Sequence, residues 1–294
     1  MVLSIVIPTH RGGEILCRCL DSLRRHAPQG TEVIVVDDGS TADTVSGIVR
    51  AHPGVRYVRL SRQRGFCQAA NVGIEIASGN IVELLNDDAE VTAGWARAAL
   101  RHFATPSVVA VAPLVLYRSG IPENPPRIDS AGDDYDPGGF AWKRGHGRPW
   151  DHRLPVLLRR SGPVQSVSGC AAFYRREALL AVGGFDMRFK AYFEDVDLSL
   201  RLRQRGGQII YEPASMVWHI GASSYGLVPR RRLLELQSCN EERLFWKHWE
   251  YYGKWHVLPR HLAVLAGKVI RRWSEGTLVP WSFGRIRAWS ELIL

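Results

Sequence analysis

Apolar residues along this chain come in short continuous runs that alternate with helical stripes. Leu3 to Ile7 is a β-rich run closed by Pro8-Thr9, and behind it Ile15, Leu16, Cys19, Leu20 and Leu23 return on one face of a helix. Val33 to Val36 forms a second run, stopped by Asp37-Asp38-Gly39-Ser40, before Val45, Ile48 and Val49 mark another stripe. The alternation then predicts a strand over Val55–Leu60, a helix over Phe66–Ser78 ended by Gly79, and a strand over Ile81–Leu85. A helix over Gly94–Phe103 and a strand over Val108–Ala112 follow. Strands without a polar face, separated by helices, predict right-handed crossovers and an α/β domain whose central sheet is mostly parallel and flanked by helices.

In such a sheet the ligand crevice lies beyond the carboxyl ends of the strands, where Pro8-Thr9, Asp37-Asp38 and Asn86-Asp87-Asp88 would gather. Residues 117–163 change character, with Pro122, Pro125, Pro126, Pro137, Gly138, Gly139, Pro149 and Pro155 among charged and aromatic residues, and predict an irregular lid or acceptor-contacting insert. Order returns with a strand-like run at Val164–Val167, a helix over Arg175–Val182 closed by Gly183-Gly184, and a helix over Glu194–Arg205. Two further strands are predicted near Gln208–Tyr211 and Met216–Trp218. No internal repeat is visible.

Residues 227–294 differ again, holding six of the ten Trp and twelve Lys and Arg against six Asp and Glu. Leu233, Leu236, Leu244 and Phe245, then Leu262, Leu265, Val269 and Ile270, predict amphipathic helices. Two readings fit this stretch equally: a helical cap with a solvated basic side, or a surface for anionic membrane. The expected organisation is therefore a catalytic domain over 1–226 and a basic, Trp-rich helical extension over 227–294.

Composition narrows the class. At 294 residues, with 46% hydrophobic and 23% charged residues, the chain has the make-up of a packed globular protein rather than a disordered one. A net charge of +9 suits phosphate, nucleic acid or anionic lipid alike. Acidic loops at the predicted crevice argue against nucleic acid. Five cysteines at scattered spacings fit neither a disulfide framework nor a zinc site and point to a reducing compartment. No uncharged run reaches the roughly eighteen residues of a spanning helix, and the N-terminus has no signal-like segment, so a cytoplasmic location is expected. There is no G-x-G-x-x-G after the first strand, no P-loop, no H-E-x-x-H and no G-x-S-x-G, which weakens dehydrogenase, P-loop and serine hydrolase readings.

Carboxylates at strand ends remain. Asp37 and Asp38 can accept hydrogen bonds from a base or a ribose, although D-D-G-S is also an ordinary turn and cap sequence. Asn86-Asp87-Asp88 offers hard oxygen ligands suited to Mg²⁺ or Mn²⁺ bridging a diphosphate. Arg62 and Arg64, before Gly65, can meet phosphate oxygens or simply be solvated. His219 can complete a metal shell or serve the fold. Glu194-Asp195 opens a helix, where a carboxylate is held ionised by the dipole. That placement suits a helix cap and equally a general base for a hydroxyl.

Taken in order, Ser4-Ile5-Val6-Ile7-Pro8-Thr9, Val35-Val36-Asp37-Asp38-Gly39-Ser40, Arg64-Gly65-Phe66 with Asn71-Val72-Gly73, Leu84-Leu85-Asn86-Asp87-Asp88, Gly183-Gly184-Phe185-Asp186 and Tyr192-Phe193-Glu194-Asp195-Val196-Asp197-Leu198 resemble family 2 glycosyltransferases over about residues 1–224. The resemblance implies the GT-A fold, a UDP- or dTDP-sugar donor held around Pro8, Thr9, Asp37, Asp38, Arg64, Gly65, Asn71 and Asp87, and transfer with inversion. The acceptor it implies is a hydroxyl on a glycan or lipid-linked molecule, as in bacterial rhamnosyl- and galactofuranosyl-type cell-surface glycan transferases. It places Mg²⁺ or Mn²⁺ on Asp88, in a D-x-D-type motif that here begins with Asn. Trp218-His219 with Gly221 and Ser223 resembles the family's late histidine motif and adds His219 to the metal. The catalytic base falls on Asp195, with Glu194 as the alternate. Two other classes stay open. A sugar nucleotidyltransferase would need a glycine- and lysine-rich triphosphate loop, which Thr9-His10-Arg11-Gly12-Gly13 matches poorly, and a non-catalytic nucleotide-sugar-binding module would bind the donor without turnover.

Overall fold

The computed structural model describes residues 1–41, 43–118, 124–221 and 230–293. The chain divides into two compact units, one of residues 1–133 with 143–221 and one of residues 134–142 with 222–294. The expected boundary at 226 and Ser223 lie outside the described residues.

The first unit begins with β1 (Leu3–Thr9), α1 (Glu14–His26), β2 (Glu32–Asp37), α2 (Thr44–Arg50), β3 (Val55–Arg59), α3 (Phe66–Ile76) and β4 (Ile81–Leu85). β4, β1, β2 and β3 lie side by side and parallel. Their side chains alternate between two apolar layers. Val6, Ile34, Val36 and Leu84 pack with α3 on one face, while Ile5, Ile7, Val35 and Leu85 pack with α1 on the other. Both faces are covered, which is why these strands read as unbroken hydrophobic runs. α3 approaches β1 so closely that a Cβ at Gly73 would fall 2.1 Å from a methyl of Val6.

Beyond β4 the sheet becomes mixed. β5 (Ala89–Val91), α4 (Trp95–Leu100) and β6 (Val108–Tyr117) come next, and β6 runs five residues past its predicted end because Pro113 interrupts the run without ending the strand. Residues 117–163 hold β7 (Ile128–Ser130) on β6, the hairpin of β8 (Asp133–Asp136) and β9 (Phe140–Lys143), a single helical turn α5 (Val156–Arg159) and β10 (Gly162–Pro163). The segment expected to be irregular thus adds strands to the sheet, too short to carry a legible period.

Val164–Val167 is not a regular strand, and only Ser166 makes an isolated bridge, to Asp133. The strand falls instead on β11 (Ala171–Arg175), which is inserted antiparallel between β4 and β6. α6 (Arg176–Ala181) and α7 (Glu194–Gln204) follow. β12 (Gln208–His219) is one strand with a register shift between Glu212 and Met216, where two strands were expected around Pro213. The order is β10-β12-β6-β11-β4-β1-β2-β3, with β5 on β12 and β7 on β6.

The second unit contains the tip of the β8–β9 hairpin with α8 (Arg230–His248), α9 (Leu258–Ser274) and α10 (Leu278–Ile293). Its interior holds Leu244, Phe245 and Trp281 together with buried ion pairs: Glu241 and Glu242 of α8 both pair with Arg285 of α10, and Glu241 also with Lys268 of α9. His261 stacks on Phe245 at 3.6 Å, and the indoles of Trp246 and Trp289 each donate to Glu242 Oε1 at 2.7 Å.

Candidate active site

The loops after β1, β2 and β4 do meet in the first unit. Thr9 Oγ1 donates to Asp87 Oδ2 at 2.5 Å, and the Asp38 amide donates to the Thr9 carbonyl at 2.7 Å. Asp38 accepts the Arg64 and Gly65 amides at 2.7 and 2.8 Å, fixing the loop that opens α3. Gly65 has φ +94, and Arg64 turns its side chain to solvent. Asp37 is the exception. Its carboxylate accepts both the amide and the hydroxyl of Ser40 at 2.8 Å and the Tyr57 hydroxyl at 2.7 Å, and it has no exposed surface. Asp37 thus shapes the turn, and burial together with this carboxylate pushes the Tyr57 hydroxyl up to about 12.

Pro8 and Asn71 likewise have partners within the fold. Pro8 is buried in β1, in register with Val36. Asn71 donates to the Phe185 carbonyl at 2.9 Å and accepts its amide at 2.8 Å, clasping the segment that leads to α7. That clasp explains the glycine beside it, because a Cβ on Gly184, at φ +66, would fall 2.4 Å from the Asn71 amide oxygen.

Asp88 lies in the turn between β4 and β5, and β5 pairs with the end of β12 so that Ala89 sits opposite His219. His219 Nε2 stands 3.2 Å from Asp88 Oδ1, while its Nδ1 donates to Asp129 Oδ2 at 2.8 Å. Asp129, from β7, also accepts Lys143 at 2.8 Å and is almost fully buried. Burial opposes charge on the His219 imidazole, but Cys170, Asp129 and Asp88 outweigh it and hold its pKa above the ordinary histidine value. Burial raises Asp87 to about 6, with Asp88 adding to the rise and the Thr9 hydroxyl opposing it.

This donor set fits a hard divalent cation: one carboxylate and one imidazole converge, and the imidazole is oriented by a second carboxylate behind it. Among the described residues there is no cluster of three or more His, Cys, Asp or Glu arranged around a metal position, so a cation here would need ligands from a bound phosphate or water. Asp129 and Lys143 were not apparent in the sequence, where they fall in the segment read as a lid; an acidic residue between two apolar-flanked turns was the only signal.

Asp195 is tied to the same place. Gly169 N donates to Asp195 Oδ2 at 2.6 Å, and the next residue, Cys170, accepts the Asn86 amide at 2.9 Å. Two consecutive residues thus join the Asn86–Asp88 turn to the start of α7. A side chain at 169 would meet Asp195 Oδ2 at 3.1 Å, so glycine keeps that approach open. Tyr192 and Phe193 both have φ +67, a left-handed conformation disfavoured for aromatic residues, which turns the chain sharply into α7.

Glu194, Asp195 and, from β8, Asp133 crowd together. Burial raises all three above the usual carboxylate range; repulsion from Asp195 adds to the rise at Asp133 and Glu194, while backbone amides and Lys143 partly offset it at Asp195. Glu194 Oε2 is buried without a hydrogen-bond partner among the described residues.

Residues 4–183 match the model of glycosyl transferase family 2. A pre-mycofactocin glycosyltransferase of Mycobacterium tuberculosis is 33% identical over 219 residues, covering 74% of this chain and 42% of that protein. The chain thus spans less than half of that relative's length. An N-acetylglucosaminyl-diphospho-decaprenol L-rhamnosyltransferase of the same organism is 32% identical over 253 residues, covering 79% of this chain and 80% of that protein. Among solved structures, GalNAc-T7 with UDP, GalNAc and Mn²⁺ superposes with a TM-score of 0.65 at 20% identity, over 85% of this chain and 49% of that one. A mannosyltransferase from Pyrobaculum calidifontis in complex with GDP-Man and Mn²⁺ gives 0.62 at 18% identity, over 97% and 86%. The two structural likenesses give the fold, GT-A, and the family match together with the rhamnosyltransferase places the chain in glycosyl transferase family 2, among the glycosyltransferase enzymes.

Proposed function

We propose that the chain transfers a sugar, with inversion, from a UDP- or dTDP-sugar to a hydroxyl of a glycan or lipid-linked acceptor in cell-surface polysaccharide synthesis. The carrying observation is the pair of bonds at Gly169 and Cys170, which tie Asp195 and the Asn86–Asp88 turn to consecutive residues and so support one shared site. The rhamnosyltransferase relative supports a lipid-linked acceptor.

Asp88 and His219 would hold Mg²⁺ or Mn²⁺, with Asp129 keeping the imidazole oriented. When bound, such a cation supplies neutralisation of the charge that gathers on a departing diphosphate. The main-chain loops fixed by Asp38, together with Thr9 and Asp87, frame the nucleotide. Asp195 orients the acceptor hydroxyl and takes its proton while the acceptor oxygen bonds to the anomeric carbon. The carbon–oxygen bond to the diphosphate breaks with its electron pair going to that oxygen, and displacement on one face inverts the centre. The Gly169 amide holds Asp195 in place throughout, and a pKa raised by burial makes Asp195 a stronger base than an exposed aspartate.

Asp195→Asn is expected to lower kcat by about a thousandfold, within the range general-base catalysis spans, and to leave donor affinity within about threefold. Steady-state kinetics with donor titration by calorimetry checks this. Turnover near that of the wild type would remove Asp195 as the base, and donor binding without any transfer across an acceptor panel would favour the binding-module reading.

A further inference from the structure

Beside Leu244, Phe245 and Trp281, the second unit buries the charged Glu241, Glu242 and Arg285, and it leaves other large apolar side chains exposed. α9 turns His261 and Lys268 toward the buried glutamates of α8. Its opposite face carries Leu262, Ala266, Val269, Ile270 and Trp273, at i, i+4, i+7, i+8 and i+11, with no charged residue in the stripe. Ile270 is 73% and Trp273 75% exposed. α10 repeats the pattern: Arg285 is buried, and Val279, Phe283 and Ile286, at i, i+4 and i+7, are each more than half exposed. Trp255, before α9, is 70% exposed.

Water does not stabilise such a surface, since apolar area left in contact with it is unfavourable in proportion to its extent. The flanks identify the occupant. Arg260 and Arg271 border the α9 stripe and Arg287 borders that of α10; all three are well exposed, although each also pairs with a carboxylate, of Asp136, Glu275 and Glu291 in turn, and Lys and Arg exceed Asp and Glu by twelve to six over residues 227–294. An apolar stripe bordered by guanidinium groups and indoles complements the interface of an anionic lipid bilayer, where apolar side chains enter the acyl boundary and arginines meet phosphate headgroups. Among the described residues no helix is long and apolar enough to cross a membrane, so the fit is to a helix lying in the surface.

We propose that the outward faces of α9 and α10 bind an anionic membrane surface, with Ile270, Trp273, Phe283 and Ile286 inserting. Binding is independent of the sugar transfer proposed above and is measured without turnover, so failure of one leaves the other standing.

The test is cosedimentation of the full chain with vesicles of equal parts phosphatidylglycerol and phosphatidylcholine, and with phosphatidylcholine alone. Strong binding to the anionic vesicles that weakens with added salt is expected. The Ile270→Ser, Trp273→Ser double variant and the Phe283→Ser, Ile286→Ser double variant should each weaken binding by about tenfold or more, since two inserted side chains are lost. Because all four positions are exposed, melting curves should match that of the wild type. Absence of vesicle binding at low salt, or undiminished binding by both variants, would overturn the proposal. So would a solution dimer that the same substitutions dissolve without any effect of lipid, which would assign these faces to a second copy of the chain.

Discussion

At Glu194 and Asp195 adjacent carboxylates take different positions. Asp195 has two backbone amides on its oxygens, from Gly169 and Val196, whereas Glu194 keeps a buried oxygen without a hydrogen-bond partner among the described residues. Amide donors favour the ionised form, so Asp195 is the better base, whereas burial and the charge on Asp195 push Glu194 up to about 8 and keep it protonated while Asp195 ionises. A base must be ionised to work, and therefore kcat should fall as pH drops through a value above the ordinary aspartate range of about 4. Replacing a carboxyl that is already neutral there removes no charge. Glu194→Gln is thus expected to retain most of the turnover and to leave the acid limb of the kcat profile in place. A collapse of turnover would transfer the base role to Glu194.

Among the elements, β4 shows what the hydrophobic pattern could and could not convey. Its run from Ile81 to Leu85 reads as a buried strand although it contains Glu83, which is fully buried and accepts the Trp95 indole at 3.0 Å. Burial pushes Glu83 up to about 8 from an ordinary 4.5. The folded state therefore holds its proton between pH 4.5 and 8 while the unfolded chain releases it. Stability from this group is fully present below the lower value and is lost as pH rises through the upper one, by at most about 1.4 kcal/mol per pH unit. Glu83→Gln keeps an acceptor for Trp95 and cannot ionise. Its stability relative to the wild type, measured by urea unfolding, should rise with pH across this window, and a difference independent of pH would place an ionised Glu83 in the fold.

The parallel strands β1 to β4 were legible because both of their faces are apolar. β11 was not, because Ala171-Ala172-Phe173-Tyr174-Arg175 lacks β-branched residues and runs straight into α6. The carboxylates at strand ends were legible for the same topological reason as the strands. Sequence could not tell Asp37, spent on Ser40 and Tyr57, from Asp88 beside His219, since that distinction rests on partners 131 residues apart in the second case. Asp129 was hidden because its partners, His219 and Lys143, come from separate strands.

For the whole molecule, the net charge of +9 and the acidic crevice pull in opposite directions. In the proposed reaction Asp87 and Asp88 would face a diphosphate, and without a cation between them such a donor and these carboxylates repel each other, however basic the rest of the chain. Nucleotide and metal should consequently bind together. Ligand that binds only the folded state raises its stability by about 2.7 kcal/mol at a hundredfold excess over Kd, which a melting curve reads as several degrees. Across a panel of UDP-, dTDP- and GDP-sugars with Mn²⁺, Mg²⁺ or chelator, the expected result is a large shift for a UDP- or dTDP-sugar only when metal is present. The combined shift should exceed the sum of the two separate ones. Asp88→Ala should abolish the excess and Asp195→Asn should keep it, because the first removes a cation ligand and the second leaves the donor site intact. An equal shift in chelator would take the metal out of the binding step and leave Asp88 to the turn alone, whereas a preference for GDP-sugars would replace the donor class and keep the rest of the chemistry.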